Sequence, residues 1–389
     1  MRIGLVAGEY PPDQGGVGDF TRELGRALVA LGHEVHVLTS ATRATLHVSR
    51  LTSNASPFVH RRVPGWRWGC WRKVLALAEE LELEVLNVQY QAAAYRMHPA
   101  IHFVPRRRGR PPMVVTFHDL KVPYLFPKAG PLRWRVVEML AHRADGVIVT
   151  NREDELRLAN LPSPISNLAR IPIGSNIAPR LPDGYDREAW RARWGIEPGD
   201  LLLGYFGFLN ERKGGEDLIE TLAALVARGL PAHLLLIGGR VGSSDPTNLA
   251  YAERVDRLVA ERGLVERVHT TGFVSPEEVS ASLAAVDVCL LPYRDGASLR
   301  HGSLHACLAH GRPIVTTRPA LESPNFCDGE NVLLAPALDV LALADGVTRL
   351  VDDPGLRARL EVGAAALATN FTWERIARRT LTFYETLMT

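Results

Sequence analysis

The 389-residue chain is 46% hydrophobic and 23% charged, and it carries a net charge of +2 at pH 7. This length favours two domains of ~150–200 residues, and the longest apolar runs fall far short of the ~20 residues that cross a bilayer. The four cysteines are scattered without a CxxC pair, which disfavours a disulfide framework or a zinc knuckle. Because the first residues enter a strand pattern rather than a signal peptide, we expect a cytoplasmic protein.

The first half of the chain alternates strand patterns with helical ones. Apolar residues spaced three and four apart predict an amphipathic helix between Val17 and Leu31. Such alternation predicts parallel strands with right-handed crossovers, and hence a doubly wound, Rossmann-like α/β domain. The predicted strands are Arg2–Ala7, Glu34–Thr39, Val85–Gln89, Met113–His118 and Val147–Thr150.

The same alternation begins again after a Pro-, Gly- and Asp-rich segment, Ile177–Gly199, which we interpret as an interdomain linker. The predicted helices are Glu216–Ala227, Ala252–Arg262 and Trp373–Leu387. The predicted strands are Leu201–Phe206, His233–Gly238, His269–Gly272, Val288–Pro292 and Ile314–Thr317. We therefore predict domains at residues 1–178 and 179–372, with the last helix packing back on the first domain and a ligand cleft at the carboxyl ends of both sheets.

Three loops carry the candidate chemistry, and the first is Gly15-Gly16-Val17-Gly18, just before a helix. Glycines there let backbone N–H groups approach an anion at the helix N-terminus, although a plain flexible turn explains them equally well. A dinucleotide site is disfavoured, because Thr21 takes the place of the last fingerprint glycine and the second strand ends without a carboxylate.

The second loop contains Lys213, one of four lysines among 45 basic residues, followed by Gly214 and Gly215. A cation at a strand–helix turn suits a diphosphate, whereas an ordinary surface lysine is the alternative. The third loop runs from Asp295 to Ser303. Arg300 there is suited to clamp a phosphate, and Ser298 and Ser303 are suited either to bind a ligand or to cap the following helix.

Six motifs in this order resemble family 4 glycosyltransferases of the GT-B fold, in which two Rossmann-like domains face each other across a cleft. The resemblance spans nearly the whole chain. The motifs are Gly15-Gly16, His118-Asp119, Lys213-Gly214, Thr271-Gly272-Phe273-Val274, Gly311-x-Pro313 and Phe371-Thr372-Trp373.

The resemblance implies retaining transfer of a hexosyl-type sugar from a nucleotide-sugar donor (UDP-, GDP-, ADP- or TDP-linked), with no metal or other cofactor. It assigns Lys213 to the donor diphosphate, Phe273 and Val274 to the base, and His118 to the transferred sugar. Gly15 and Asp19 fall on the acceptor side, and Gly16 lies near phosphate. The remaining donor-site candidates are Arg212, Asp295, Ser298, Leu299 and Ser303, with Arg300 joining Lys213 and His118 as a catalytic candidate.

The sequence departs from the family pattern at three positions. Ser298 and Ala306 occupy the places of two glutamates, and Phe208 occupies that of an arginine. We therefore expect a divergent subfamily in which Lys213, with Arg212 or Arg300, stabilises the departing diphosphate. A catalytically silent nucleotide-sugar-binding protein and a sugar-nucleotide epimerase of the same architecture are the alternatives.

Charge is divided unevenly, with +9 in residues 1–180 and −7 in the remainder. Trp66, Trp68 and Trp71 alternate with basic residues, and a basic run follows at Arg106–Arg110. These features suggest an anionic or lipid-linked acceptor and peripheral contact with an anionic inner membrane face, although half-buried packing of the tryptophans is favoured. Nucleic acid is not expected because no reader motif is present. A metal at His301 and His305 is disfavoured because the zinc-protease glutamate is absent.

Overall fold

The structure, a computed structural model, describes residues 1–13, 15–41, 56–105, 110–120, 132–239 and 246–388. Of the basic run at Arg106–Arg110, all but Arg110 lies outside the described residues. The chain divides into two compact units, the first formed by Met1–Gly174 with Thr372–Thr389 and the second by Ser175–Phe371. The boundary lies four residues before the predicted one.

The first unit contains a seven-stranded parallel sheet in the order β3-β2-β1-β4-β5-β6-β7. Its strands are β1 (Arg2–Ala7), β2 (Glu34–Ser40), β3 (Phe58–Val63), β4 (Val85–Tyr90), β5 (Met113–Phe117), β6 (Gly146–Val149) and β7 (Leu168–Arg170). Its helices up to residue 174 are α1 (Gly16–Ala30), α2 (Cys70–Glu80), α3 (Leu132–Arg143) and α4 (Arg152–Ala159).

Alternation along these strands explains the two hydrophobic layers of the first unit. Leu38 and Val88 belong to the cluster on one face of the sheet, and Leu5 and Val37 belong to the cluster on the other face. Because side chains point to opposite faces at successive strand positions, strands buried on both sides are mostly apolar along their length.

The second unit contains a six-stranded parallel sheet in the order β10-β9-β8-β11-β12-β13 around one continuous core. Its strands are β8 (Leu201–Phe206), β9 (Ala232–Ile237), β10 (Val268–Gly272), β11 (Val288–Leu291), β12 (Ile314–Thr317) and β13 (Leu333–Ala335). Its helices are α5 (Arg187–Ala192), α6 (Gly215–Ala227), α7 (Pro246–Glu261), α8 (Pro276–Ala285), α9 (Gly302–Ala309), α10 (Val340–Asp352) and α11 (Pro354–Ala368).

The last helix, α12 (Trp373–Glu385), belongs to the first unit. The ring centroid of Trp373 lies 5.2 Å from that of Phe20 on α1. The buried Tyr384 hydroxyl accepts a hydrogen bond of 2.6 Å from Asn87 Nδ2 on β4.

The segment interpreted as an interdomain linker, Ile177–Gly199, lies within the second unit and contains α5. Asp186 caps α5 by accepting a hydrogen bond from the Ala189 N–H. The buried Arg191 donates to Asp287 over 3.1 Å. Clusters of Pro, Gly and Asp conceal this short helix, because the contacts that stabilise it come from residues about a hundred positions away.

In each sheet the strand order reverses once, between β1 and β4 in the first unit and between β8 and β11 in the second. In doubly wound sheets the loops on either side of such a reversal diverge and leave a crevice at the carboxyl edge, which is where ligands bind. The Gly15–Gly16 loop follows β1, and the Lys213 loop and the Asp295–Ser303 loop follow β8 and β11.

Candidate active site

The Lys213 loop of the second unit is held against the loop that follows β11. Asn210 Oδ1 accepts a hydrogen bond from the Lys213 N–H over 3.1 Å, which closes a short 3-10 turn over Glu211–Lys213. Gly214 ends the turn at φ 70°, and a Cβ there would lie 2.0 Å from the carbonyl oxygen of Pro292. Only glycine fits this position, because both its backbone angle and the space beside it exclude a side chain.

Lys213 extends its ammonium group back over the end of β8. A Cβ on Gly207 would lie 3.3 Å from Lys213 Nζ and 3.8 Å from Cβ of Ser303. Three segments therefore meet here: the end of β8, the Lys213 turn and the first turn of α9. Burial lowers the pKa of Lys213 to about 8, although the charge of Asp295 opposes that shift.

Arg294 joins the two loops to the start of α6. Its backbone N–H donates to the carbonyl of Arg212 over 2.8 Å. Its guanidinium donates to both carboxylate oxygens of Asp217, over 2.6 and 3.0 Å, and to Glu216 over 3.2 Å. This bidentate pair fixes the geometry more tightly than a single ion pair does.

The predicted phosphate clamp, Arg300, forms an ion pair with Asp295 at 2.7 Å, and both side chains are largely buried. A diphosphate would therefore compete with Asp295 for this guanidinium. Leu299, the neighbouring donor-site candidate, offers its carbonyl to the His305 ring over 2.8 Å.

The capping alternative for Ser298 and Ser303 is wrong. His301 is the residue that precedes α9, and in the described structure this helix has no side-chain cap. Ser303 lies in the first turn, where its hydroxyl is hydrogen-bonded to the Tyr293 hydroxyl at 2.7 Å. Ser298 is 7% exposed, and Ala306 is fully buried. Neither position of the missing glutamate pair carries an acid.

Three donor-site candidates lie further from this convergence in the fold. Arg212 lies in the same turn as Lys213, but its side chain is exposed. Phe273 and Val274 follow β10, an edge strand two strands away from β8. Phe273 is 71% exposed, whereas Val274 packs against the core of its unit.

In the first unit, His118 lies at the end of β5 beside the end of β4. Its Nε2 is 3.0 Å from Oε1 of the buried Gln89, and its ring packs edge-on against Phe20 at 4.6 Å. Desolvation lowers the pKa of His118 to about 3, so the imidazole is neutral. With Gln89 as acceptor, His118 carries its proton on Nε2 and presents Nδ1 as an acceptor.

The Gly15–Gly16 loop holds a carboxylate of the chain itself. Glu9 accepts hydrogen bonds from the backbone N–H groups of Val17 and Gly18 at the start of α1. A Cβ on Gly15 would lie 1.9 Å from Glu9 Oε1. Burial raises the pKa of Glu9 and also that of the nearby Asp19. Gly16 is exposed at the first position of the helix.

The two histidines considered for a metal, His301 and His305, lie in different aromatic surroundings. His305 lies inside α9, with its ring edge-on to Phe371 at 4.8 Å. His301 precedes the helix and lies against the Tyr293 ring at 4.0 Å. Among the described residues, no group of three or more metal-ligating side chains is present.

Sequence reasoning missed Glu9, Gln89 and the Arg294–Asp217 pair. Gln89 had a detectable signal, because a glutamine inside the otherwise buried strand Val85–Tyr90 requires a partner. Arg294 had none, because its partners lie 77 and 78 residues away.

Comparison with known proteins shows two family models on this chain. Residues 14–178 match the model for glycosyltransferase family 4, and residues 200–353 match the model for glycosyl transferases group 1. The D-inositol 3-phosphate glycosyltransferase of Pseudarthrobacter chlorophenolicus is 28% identical over a gapped alignment of 406 positions, which covers 96% of this chain and 90% of that protein. The alpha-D-kanosaminyltransferase of Streptomyces kanamyceticus is 28% identical over 273 residues, which cover 66% of this chain and 65% of that protein.

Solved structures agree on the fold. Sucrose-phosphate synthase from Thermosynechococcus elongatus has a TM-score of 0.74 at 24% identity and covers 100% of this chain and 99% of its own. HepE of Anabaena, in complex with UDP and glucose, has a TM-score of 0.76 at 18% identity, and the match covers 99% of this chain and 100% of HepE. The predicted fold class and the predicted family resemblance are confirmed. The chain is a glycosyltransferase of the GT-B fold, with a family 4 glycosyltransferase domain followed by a group 1 glycosyl transferase domain.

Proposed function

We propose that this glycosyltransferase transfers a hexosyl-type sugar from a nucleotide sugar to an acceptor hydroxyl, with retention at the anomeric carbon. The observation that carries the proposal is the convergence of Lys213, Gly207 and Ser303 at the strand-order reversal of the second unit. Solved structures of Anabaena HepE contain UDP with glucose, or UDP-glucose, which supports a nucleotide-sugar donor here.

In this proposal Lys213 binds the donor diphosphate. The bond between the anomeric carbon and the diphosphate oxygen breaks while the acceptor oxygen bonds to the same face of that carbon. The acceptor proton passes to the departing diphosphate oxygen, so atoms and charge balance. Lys213, close to the N-terminus of α9, stabilises the negative charge that develops on the leaving group. Arg212 and Arg300 are the further cations proposed for it.

The proposed role of His118 follows from its neutral state. An uncharged imidazole with an available acceptor nitrogen can orient a sugar hydroxyl without adding a positive charge near the reacting carbon. The proposed acceptor side includes Gly15 and Asp19, whose carboxylate suits a hydroxyl donor. Metal-independent catalysis in the cytoplasm completes the proposal.

An anionic or lipid-linked molecule is the proposed class of acceptor. The first 180 residues carry a net charge of +9, and several relatives are named for D-inositol 3-phosphate. Positive potential of this kind raises the local concentration of an anionic substrate.

The donor assignment is tested by replacing Lys213 with Ala. If its charge acts like one removed oxyanion donor, kcat should fall by about 10²-fold or more. Thermal shift with UDP, GDP, ADP and TDP identifies the base, since only a ligand that binds the native state raises its melting temperature. Undiminished transfer by the Lys213→Ala variant would contradict the assignment.

A second function is favoured by one observation. Because Ser298 and Ala306 supply no carboxylate where the family has its glutamate pair, a catalytically silent nucleotide-sugar-binding protein is the second candidate. It would show nucleotide-dependent stabilisation without release of nucleoside diphosphate from any donor. A sugar-nucleotide epimerase, in contrast, would convert the donor without an acceptor.

A further inference from the structure

One surface of the first unit combines exposed apolar side chains with cations. Trp68 is 65% exposed, Phe103 43% and Met97 38%. The rings of Trp68 and Phe103 lie 5.1 Å apart, and the ring of His98, next to Met97, lies 5.7 Å from Trp68. Large exposed side chains that contact each other form an apolar patch. A single exposed apolar residue is ordinary, whereas a patch of this kind indicates an interaction site.

The two neighbouring tryptophans are buried, and each has a structural role. Trp66 Nε1 donates to the carbonyl of Gly8 over 3.0 Å, and Trp71 Nε1 donates to the carbonyl of Ile101 over 3.2 Å. Packing therefore explains Trp66 and Trp71, as the sequence favoured, but it does not explain Trp68.

Cations surround the exposed aromatic rings. Arg67 and Arg72 are exposed and Lys73 is half-buried, and none of the three forms a salt bridge within the part of the chain that the structure describes. Arg143 lies over the Phe103 ring at 5.8 Å.

An open cavity of about 430 Å³ lies within this surface at the start of α2. Trp68, Arg67, Arg72 and Lys73 all line it. Three cationic side chains beside an exposed indole match an anionic headgroup at the edge of a hydrocarbon layer. We call Arg67, Trp68, Arg72, Lys73, Met97 and Phe103 the Trp68 surface.

The Trp68 surface is connected to the loop that follows β1. Trp66 is bonded to Gly8 in that loop, and a Cβ on Gly8 would lie 2.5 Å from the carbonyl oxygen of Ala94. Both segments that form the surface are therefore packed against the loop leading to Gly15 and Asp19, the proposed acceptor side.

We propose that the Trp68 surface docks the enzyme on an anionic lipid bilayer, with Trp68, Phe103 and Met97 at the interface and the cavity cations on headgroup phosphates. Charge complementarity selects this partner, and the exposed aromatic and methionine side chains favour a bilayer over a soluble polyanion. No described helix is long and apolar enough to span the membrane, so the proposed contact is peripheral. The proposal requires no sugar transfer, so it can fail independently of the proposed function.

The test is sedimentation of the full chain with vesicles of phosphatidylcholine alone and of phosphatidylcholine mixed with phosphatidylglycerol. We expect binding only to the mixed vesicles, weakening at high salt because the charge attraction is screened. Arg72→Gln combined with Lys73→Gln should lower the vesicle affinity by about tenfold or more. Trp68→Ser should lower it by about tenfold through loss of interfacial burial.

Matched controls are available on the second unit. Leu341 is 63% exposed, and Arg257 is exposed. Leu341→Ser and Arg257→Gln repeat both kinds of change away from the Trp68 surface and should leave vesicle binding unchanged. Absence of binding to the mixed vesicles would overturn the proposal, and so would Trp68 and Arg72/Lys73 variants that bind like the controls. Free glycerol phosphate that competes for the protein as well as vesicles do, and so prevents its sedimentation with the mixed vesicles, would indicate a soluble phosphate ligand. That result would overturn the bilayer assignment.

Discussion

The surroundings of Lys213 destabilise its charged ammonium form relative to the neutral amine, compared with a lysine in water. Burial lowers its pKa from 10.5 to about 8, so the cation is present below pH 8 and is lost as the pH rises through that value. A diphosphate that binds Lys213 needs the charged form. If Lys213 binds the donor as proposed, the ionisation of its ammonium group falls within the pH range of an ordinary assay.

We therefore predict that kcat/KM for the donor falls as the pH rises above about 8. The matched variant is Lys213→Arg, because a guanidinium stays charged throughout this range and should remove the alkaline decline even if activity is lower. Initial rates at low donor concentration, measured from neutral to alkaline pH, test this. The same decline in the arginine variant would assign it to another group.

Gln89 is the second single residue for which we make a prediction, through its contact with His118. A carboxylate in place of the amide would put a negative charge about 3 Å from the imidazole and raise the pKa of His118 from about 3. For Gln89→Glu we expect kcat/KM to fall about tenfold as the pH drops into the new titration range. Gln89→Leu should lower kcat without adding this fall in kcat/KM at acidic pH. Superimposable pH profiles for wild type and Gln89→Glu would exclude this positioning role.

At the scale of elements, Arg294 braces the loops after β8 and β11 against α6. Arg294→Met removes the bidentate pair with Asp217 and leaves a buried carboxylate without its cation. Hydrogen bonds to charged groups are worth roughly 1.5–3 kcal/mol, and the guanidinium is 24% exposed. We therefore expect a loss of about 1–2 kcal/mol in the free energy of unfolding.

The same change should raise the donor KM about tenfold, because Lys213 would lose its fixed position. Arg262→Met is the control, since Arg262 pairs with Glu220 at 2.7 Å on an exposed surface, where solvent screening leaves an ion pair little effect on stability. Urea unfolding and donor kinetics on both variants decide the matter. Equal effects of the two changes would mean that Arg294 is an ordinary surface cation.

At the scale of the whole molecule, the chain returns to its first unit through α12. Tyr384 and Asn87 are 297 positions apart, and both are fully buried. Tyr384→Phe leaves the Asn87 donor without this partner and should lower stability by about 1–3 kcal/mol. Thr382→Ala, at an exposed position of the same helix, should change it by less than about 0.5 kcal/mol. A tyrosine variant as stable as that control would show that the hydrogen bond contributes little.

Local sequence pattern predicts the central strands of both sheets, because strands buried on both faces form nearly continuous apolar runs. The edge strands β3, β7 and β13 and most helices between α2 and α11 escaped prediction. The strand Leu168–Arg170 is three residues long, and α5 depends on Asp287, which is distant in sequence. The glycines and Lys213 were visible because their chemistry is local. Glu9 and Arg294 were not, because each acquires its role from a partner supplied by tertiary structure, and for Gln89 the strand pattern indicates a buried polar group but not its partner, His118.

The most direct test of the account is release of nucleoside diphosphate from a panel of UDP-, GDP-, ADP- and TDP-sugars. We expect release from at least one donor, a configuration at the anomeric carbon of the product that matches the donor, and a loss of about 10²-fold or more in the Lys213→Ala variant. No release from any donor, despite tight nucleotide binding, would contradict catalysis and leave a binding protein.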